Sequence, residues 1–203
     1  MRIGLDLDNT IVSYDKSIAQ LAVELFKLSE DVCLTKLGIR DYMRAEGRES
    51  EWTILQGELY GPGMRYAEPY EGAVETMEKL IAAGHELIII SHRTRRPYAG
   101  QAHDLHAAAR GWVASRLQVS GILGTVGDNS YVHLLETREE KLKMIGHMGC
   151  EAFLDDLPEI LCSSIFPPAT KGILFDPTGL SGVNELNAAI RITNWVELPD
   201  ILF

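Results

Sequence analysis

Cysteine is scarce in this chain, and the few cysteines present show no pairing pattern. Cys33, Cys150 and Cys162 are odd in number, and no C-x-x-C spacing occurs. The pattern argues against both a disulfide framework and a zinc site, since each needs cysteines in sets at defined spacings. It favours a protein of a reducing compartment.

Long apolar runs and an excess of basic charge are also missing. No run approaches the roughly 18 apolar residues of a membrane span, and an apolar strand pattern that begins at Ile3 and reaches Asp6 leaves no room for a signal peptide. We therefore expect a cytoplasmic protein without a membrane partner. With 19 basic and 29 acidic residues, the net charge of −10 disfavours a nucleic-acid polymer as partner. An anionic substrate would have to be held locally, by a metal ion or by a few placed basic side chains.

The remaining composition is that of a folded globular protein. Hydrophobic residues make up 46% and charged residues 24% of the 203 positions. Strand-like apolar runs alternate with helix-like stretches, which predicts parallel β-α units in a three-layer, Rossmann-like α/β fold. The strongest runs lie at 2–8, 85–92, 150–156 and 171–177, with a weaker one at 131–137.

Helix signals fill the stretches between these runs. Gly84 is placed to end a helix just before the 85–92 strand. Thr137 and Glu140 are spaced as a capping box that opens a second helix, which Gly149 could close. In such an open sheet, ligands bind beyond the carboxyl ends of the strands.

Residues 13–68 form too long a segment for a simple crossover and are predicted to be a helical insertion. Apolar residues recur there at helical spacing, and "GPGMRYAEPY" at 61–70 reads as the return linker. The predicted organisation is a core of 1–12 and 69–203 with a helical domain at 13–68. The apolar positions concerned are Ile18, Leu21, Ala22, Leu25, Phe26, Trp52, Leu55 and Leu59.

Two acidic pairs follow two of the predicted strands. Asp6 and Asp8 follow the first strand, and Asp155 and Asp156 end the strand that begins at 150. Carboxylates gathered at one sheet edge repel one another unless a cation lies among them. Oxygen-only ligands favour Mg²⁺, so the sequence predicts a magnesium site.

The motifs resemble those of the haloacid dehalogenase superfamily. "DLDNT" at 6–10 resembles its first motif, Ser91 its second, Lys141 its third and "LDD" at 154–156 its fourth, in the family's order. The resemblance implies the superfamily's α/β core and a phosphatase acting through an aspartyl-phosphate. An insertion after the first strand is where that family carries its C1-type cap, a helical lid that supplies substrate contacts.

The resemblance also implies a role for each matching residue. Asp6 would attack phosphorus, and Asp8 would protonate the leaving oxygen and later accept a proton from water. Ser91 and Lys141 would hold the phosphoryl oxygens, while Thr10 would fix the geometry of the turn beside the phosphate. Mg²⁺ would be bound by Asp6, the main-chain carbonyl of Asp8, and Asp155, with Asp156 nearby or acting through water.

Several assignments leave alternatives. Lys143 competes with Lys141, which we prefer because it opens the capped helix and because its distance of fourteen residues to Asp155 fits the pattern of the family that the chain resembles. His92 and Arg93 follow the second motif closely and are candidates for phosphate and substrate contacts. Elsewhere in the chain, a solvated or structural role competes with a substrate role for Arg95, Arg96, Arg40, Arg44, Arg48 and Trp52.

The predicted substrate is a small phosphate ester, such as a nucleotide or a sugar phosphate. Soluble deoxyribonucleotidases carry caps of this kind, but so do several sugar-phosphate and amino-acid-phosphate phosphatases. A phosphoprotein phosphatase is one alternative, although a helical cap should obstruct a polypeptide substrate. A non-catalytic phosphate-binding protein is the other, although none of the key residues is missing.

Overall fold

The computed structural model describes residues 1–29, 32–179 and 190–202. The parts of the predicted domains at 30–31, 180–189 and 203 lie outside the described residues. The chain divides into two compact units. The α/β unit comprises Met1–Val12, Pro69–Arg93 and Ala114–Phe203, and the helical unit comprises Ser13–Glu68 and Thr94–Val113.

The α/β unit contains a six-stranded sheet in which every paired neighbour is parallel. Its strands are β1 (Arg2–Leu5), β4 (Glu86–His92), β5 (Val132–Leu135), β6 (Ala152–Asp155), β7 (Lys171–Phe175) and β8 (Ile190–Ile192), while β2 (Val12–Ser13) and β3 (Glu68–Pro69) pair separately. The order is β5-β4-β1-β6-β7-β8. The five predicted strands and the predicted Rossmann-like α/β core are therefore confirmed, and β8 is a sixth strand that the sequence reading did not name.

The register brings the predicted motifs to one edge of the sheet. Leu5 pairs with Ile89 on one side and with Leu154 on the other, so β1 lies between β4 and β6. The strands leading to Asp6 and Asp155 are therefore neighbours in the sheet. The central strands are apolar and buried on both faces, as parallel strands covered by helices must be.

The helices of the α/β unit begin and end where the local signals indicate. α4 (Ala73–Ala82) is followed by Gly84 in the left-handed region, with φ of +85°, as predicted for its end. α6 (Arg138–His147) opens on a capping box formed by Thr137 and Glu140, which confirms that prediction. The two short helices α7 (Pro158–Leu161) and α8 (Leu198–Leu202) follow β6 and β8.

The helical unit contains α1 (Asp15–Phe26), α2 (Lys36–Ala45), α3 (Glu49–Tyr60), a 3₁₀ turn at Pro62–Tyr66, and most of α5 (Leu105–Arg116). Its core buries most of the predicted apolar face: Ile18, Leu21, Ala22, Trp52, Leu55 and Leu59. Leu25 departs from the prediction, because its side chain is 48% exposed in the last turn of α1. No helix among the described residues is long and apolar enough to span a bilayer.

Residues 94–113 group with the helical unit, although the sequence reading places them in the core. Their contacts with 13–68 explain the grouping. His103 Nε2 lies 3.0 Å from Glu58 Oε1, and Trp112 Nε1 donates to the Ala67 carbonyl at 2.9 Å. The assignment of 13–68 alone as a cap stays a prediction.

Candidate active site

The candidate site begins where β1 and β6 end side by side. The Asp6 amide donates to the Leu154 carbonyl at 2.9 Å, so Asp6 and Asp155 leave the sheet next to each other. Both are buried, with Asp155 fully inaccessible. One oxygen of Asp155 is fixed by the Leu157 amide at 3.0 Å.

Three carboxylates form a group that could hold a metal ion. Asp6, Asp155 and Asp156 each offer one oxygen, and these oxygens lie within 4.8 Å of one another. The donors are all oxygen, and two of the three residues are buried, which fits a hard cation such as Mg²⁺ better than a softer metal. The predicted main-chain ligand at Asp8 stays a prediction.

The buried cation of the site is Lys141. Its Nζ lies 2.6 Å from Asp6 Oδ1 and 2.7 Å from Asp155 Oδ2, and the residue is 1% exposed. Lys143 instead lies at the surface, 2.5 Å from Glu139 on its own helix. The structure thus brings Lys141 and not Lys143 to the acidic group.

Burial and nearby negative charge disfavour the ionised form of Asp6. Burial raises the pKa of Asp6 from 3.8 to about 7, and the charges of Asp155 and Asp8 add to the rise. Lys141 opposes the shift through its charge and its hydrogen bond. A divalent cation bound among these carboxylates would favour the ionised form further.

Two buried hydroxyls lie in the predicted phosphate-binding motifs. Thr10 is fully buried and Ser91 is 1% exposed. Within the described part of the chain, neither hydroxyl oxygen has a hydrogen-bond partner. Buried hydroxyls ordinarily find a partner, so this arrangement favours a ligand contact for both, and their phosphate-binding roles stay predictions.

His92 and Arg93 follow Ser91 but make different contacts. His92 donates from Nε2 to the Glu136 carbonyl at 3.1 Å, and burial lowers the pKa of its imidazole. Arg93 is buried and forms a two-pronged ion pair with Asp8, in which Nε lies 3.1 Å from Oδ2 and Nη2 bonds Oδ1. Their predicted contacts with phosphate and substrate stay predictions.

The remaining candidate residues have local partners in the helical unit. Arg95 lies 3.3 Å from Asp104, and Arg96 donates to the Ala102 carbonyl. Three further pairs, Arg40–Asp41, Arg44–Glu49 and Arg48–Glu51, join residues close in sequence. Trp52 is part of the core of that unit. These contacts favour the structural reading of each residue.

Sequence reasoning missed three supports of the site. Asn9 adopts a left-handed conformation with φ of 57°, which asparagine tolerates better than most residues. Gly4 leaves room for the Phe153 ring, with which a Cβ at position 4 would clash. Lys141 Nζ lies over the same ring, 5.5 Å from its centroid. Trp195 Nε1 donates to the Thr10 carbonyl at 3.0 Å. Only Asn9 has a local signal, its place between two aspartates and a threonine.

Known proteins resemble this chain in fold and, distantly, in sequence. No family model matches the chain. A Bacillus cereus protein named "Putative nucleotidase" is 26% identical over 212 aligned positions, which cover 100% of this chain and 98% of that protein.

Solved structures resemble the chain over nearly its whole length. A haloacid dehalogenase-like hydrolase from Streptococcus pneumoniae has a TM-score of 0.64 at 11% identity and covers 100% of this chain and 98% of its own. A Clostridium acetobutylicum structure described as a predicted phosphatase has a TM-score of 0.63 at 13% identity, with 99% and 97% covered. A Deinococcus radiodurans hydrolase of the family, solved with phosphate and sodium, has a TM-score of 0.60 at 19% identity, with 99% and 94% covered. The chain therefore has the fold of the haloacid dehalogenase superfamily, and the recognition made from its four motifs is confirmed at that level.

Proposed function

We propose that the protein is a Mg²⁺-dependent phosphomonoester hydrolase that acts on a small phosphorylated metabolite through an aspartyl-phosphate. The observation that carries this proposal is the buried Asp6–Lys141–Asp155 arrangement at the carboxyl ends of β1 and β6, with Asp156 beside it. The fold is shared with hydrolases and phosphatases, which supports assignment as a phosphatase.

In the first half-reaction, an Asp6 carboxylate oxygen forms a bond to phosphorus while the ester P–O bond breaks. The leaving oxygen takes a proton from Asp8. Lys141 holds Asp6 in place and offsets negative charge as the phosphoryl group is transferred. Mg²⁺ held by Asp6, Asp155 and Asp156 would supply further positive charge to the phosphoryl oxygens.

In the second half-reaction, water attacks phosphorus and gives a proton to Asp8. The Asp6–phosphorus bond breaks, and inorganic phosphate leaves. The hydroxyls of Thr10 and Ser91 are proposed to donate to the phosphoryl oxygens, a role supported by their burial without partners in the described chain. His92 stays a further candidate for a phosphate contact.

A nucleotide is the first substrate class to test, because the Bacillus cereus relative is named as a nucleotidase and aligns over the whole chain. Sugar phosphates and phosphoamino acids stay in the panel. A cytoplasmic setting also belongs to this proposal and rests on the cysteine pattern. The alternatives are a phosphoprotein phosphatase and a non-catalytic phosphate-binding protein.

The test is phosphate release from a panel of nucleotides, sugar phosphates and phosphopeptides in Mg²⁺ by the wild type and Asp6→Asn. The amide is nearly isosteric but is a poor nucleophile, so we expect turnover to be abolished while the melting transition is retained. Asp200→Asn, an exposed aspartate of α8, is the matched control and should keep full activity. Turnover by Asp6→Asn at the wild-type rate would contradict the mechanism. Release from phosphopeptides alone, or from none of the panel, would favour the alternatives.

A further inference from the structure

Arg93 is held in a fixed position directly after β4. Its amide donates to the Leu135 carbonyl at 2.7 Å, which anchors its backbone to the end of β5. Its side chain is 3% exposed, and the guanidinium meets both carboxylate oxygens of Asp8 through Nε and Nη2. Such a two-pronged pair fixes the plane of a carboxylate as well as its position.

The partner, Asp8, is anchored just as firmly. It lies in a tight turn closed by hydrogen bonds from the Asn9 amide to the Val12 carbonyl at 3.0 Å and from the Val12 amide to the Leu7 carbonyl at 2.9 Å. With both backbones fixed, the ion pair leaves the Asp8 side chain little rotational freedom. Arg95, two residues further along, differs in kind because its side chain is 61% exposed.

We propose that Arg93 is a positioning residue that orients Asp8 for proton transfer to the leaving oxygen. This inference rests on the proposed function, in which Asp8 is the acid and base. The two oxygens of a carboxylate offer about four acceptor sites, so acceptance from a guanidinium does not by itself prevent proton exchange with a leaving oxygen. A general acid accelerates a reaction only when it is aligned with the oxygen that it protonates, because small displacements at a reacting centre lower the rate greatly.

The competing role for Arg93 is a direct contact with the substrate. The two roles differ in whether a lysine can replace the arginine. A lysine retains the positive charge that would attract a phosphate but lacks the planar fork that fixes a carboxylate. Positioning therefore requires arginine, whereas attraction of an anion requires only a cation. The two roles also differ in their dependence on the leaving group.

The experiment compares phenyl phosphate with p-nitrophenyl phosphate, two esters that differ only in the nitro group. Phenoxide is the poorer leaving group and needs a proton more. In Mg²⁺, Arg93→Met and Arg93→Lys should each lower kcat/KM about tenfold more on phenyl phosphate than on p-nitrophenyl phosphate. This tenfold difference is a part of the roughly 10²–10⁴-fold rate enhancement that general acid–base catalysis contributes. Asp8→Asn should show the same selective loss, and adding Arg93→Met to it should change little. Arg95→Met is the control and should leave both rates unchanged.

Equal losses on the two esters, with activity restored by Arg93→Lys and the change confined to KM, would overturn the inference in favour of a substrate contact. Thermal melts of all variants establish that they are folded, and Arg93→Lys keeps a charge beside Asp8 should Arg93→Met not fold. If the wild type hydrolyses the esters and requires Asp6, but the Arg93 variants lose the same activity on both esters, this inference alone is overturned. Absence of Asp6-dependent hydrolysis removes the proposed function together with it.

Discussion

Lys141 is the residue on which the charge balance of the site depends. Burial of an ammonium lowers its pKa, but the charges of Asp155 and Asp6 outweigh that effect and raise the pKa of Lys141 above its ordinary value. The lysine is therefore charged throughout the physiological range. Removal of one partner from a buried ion pair is costly, because the remaining charges keep their desolvation without compensation.

We predict that Lys141→Ala lowers the free energy of unfolding in EDTA by about 3–5 kcal/mol and abolishes turnover in Mg²⁺. Asp6 and Asp155 would then face each other with no lysine between them. Lys143→Ala is the matched control on the same helix, and its exposed position predicts a change within about 0.5 kcal/mol and near-normal turnover. Urea unfolding and phosphate release measure both effects. A larger loss of turnover in Lys143→Ala would move the third motif to that residue.

At the scale of an element, the turn after β1 is held from a distant part of the chain. The Leu7 carbonyl accepts from the amides of Ile11 at 3.1 Å and Val12 at 2.9 Å, which closes the turn locally. Trp195 is fully buried in a 3₁₀ turn near the end of the chain and donates to the Thr10 carbonyl. The turn that carries Asp8 is thus fixed from both sides.

We predict that Trp195→Phe lowers the free energy of unfolding by about 1–3 kcal/mol, because the buried Thr10 carbonyl loses its donor while most ring packing is kept. We also expect kcat to fall, since the turn that carries Asp8 loosens. Trp112→Phe is the control, because it removes a donor to the Ala67 carbonyl of similar length, 2.9 Å, in the helical unit. The two variants should lose similar stability in urea unfolding. An unchanged kcat in Trp195→Phe would show that the turn does not need this hydrogen bond.

The features that the sequence could predict are those with local signals. Apolar strands ending in aspartates, and a capping box at Thr137, are readable within a few residues, and parallel pairing then brings the strand ends to one edge. Contacts between residues far apart in sequence have no such signal. The hydrogen bond from Trp195 to Thr10 spans 185 positions, and the pairing of Arg93 with Asp8 spans 85. The edge strand β8, at three residues, is too short to show a period.

At the scale of the whole molecule, the protein concentrates negative charge at the site where the proposed function requires an anionic substrate to bind. The chain carries a net charge of −10, and three carboxylate oxygens of the site lie within 4.8 Å of one another. Without a cation, the raised pKa of Asp6 means that the folded protein binds a proton that the unfolded chain releases. The contribution of Asp6 to the stability of the metal-free protein should therefore fall as the pH rises from 3.8 to about 7.

Binding of a metal ion should change this charge balance. At pH 7, Mg²⁺ should raise the melting temperature relative to EDTA, because a ligand that binds only the folded state stabilises it; at about 100 times its dissociation constant the gain is about 2.7 kcal/mol. The gain should shrink toward pH 5, where protons compete with the metal for Asp6. Asp155→Asn should reduce the shift, and exposed Asp200→Asn should keep it.

Ca²⁺ separates stability from catalysis in the same experiment. It can bind the same oxygens and raise the melting temperature, but its larger and looser coordination shell would misplace the phosphoryl group relative to Asp6. We therefore expect stabilisation by both ions and rapid turnover only with Mg²⁺, measured by melts and phosphate release in EDTA, Mg²⁺ and Ca²⁺. Full activity in EDTA would remove the metal from the mechanism. A melting temperature that is the same in Mg²⁺ and in EDTA would mean that Lys141 alone offsets the negative charge of the acidic group.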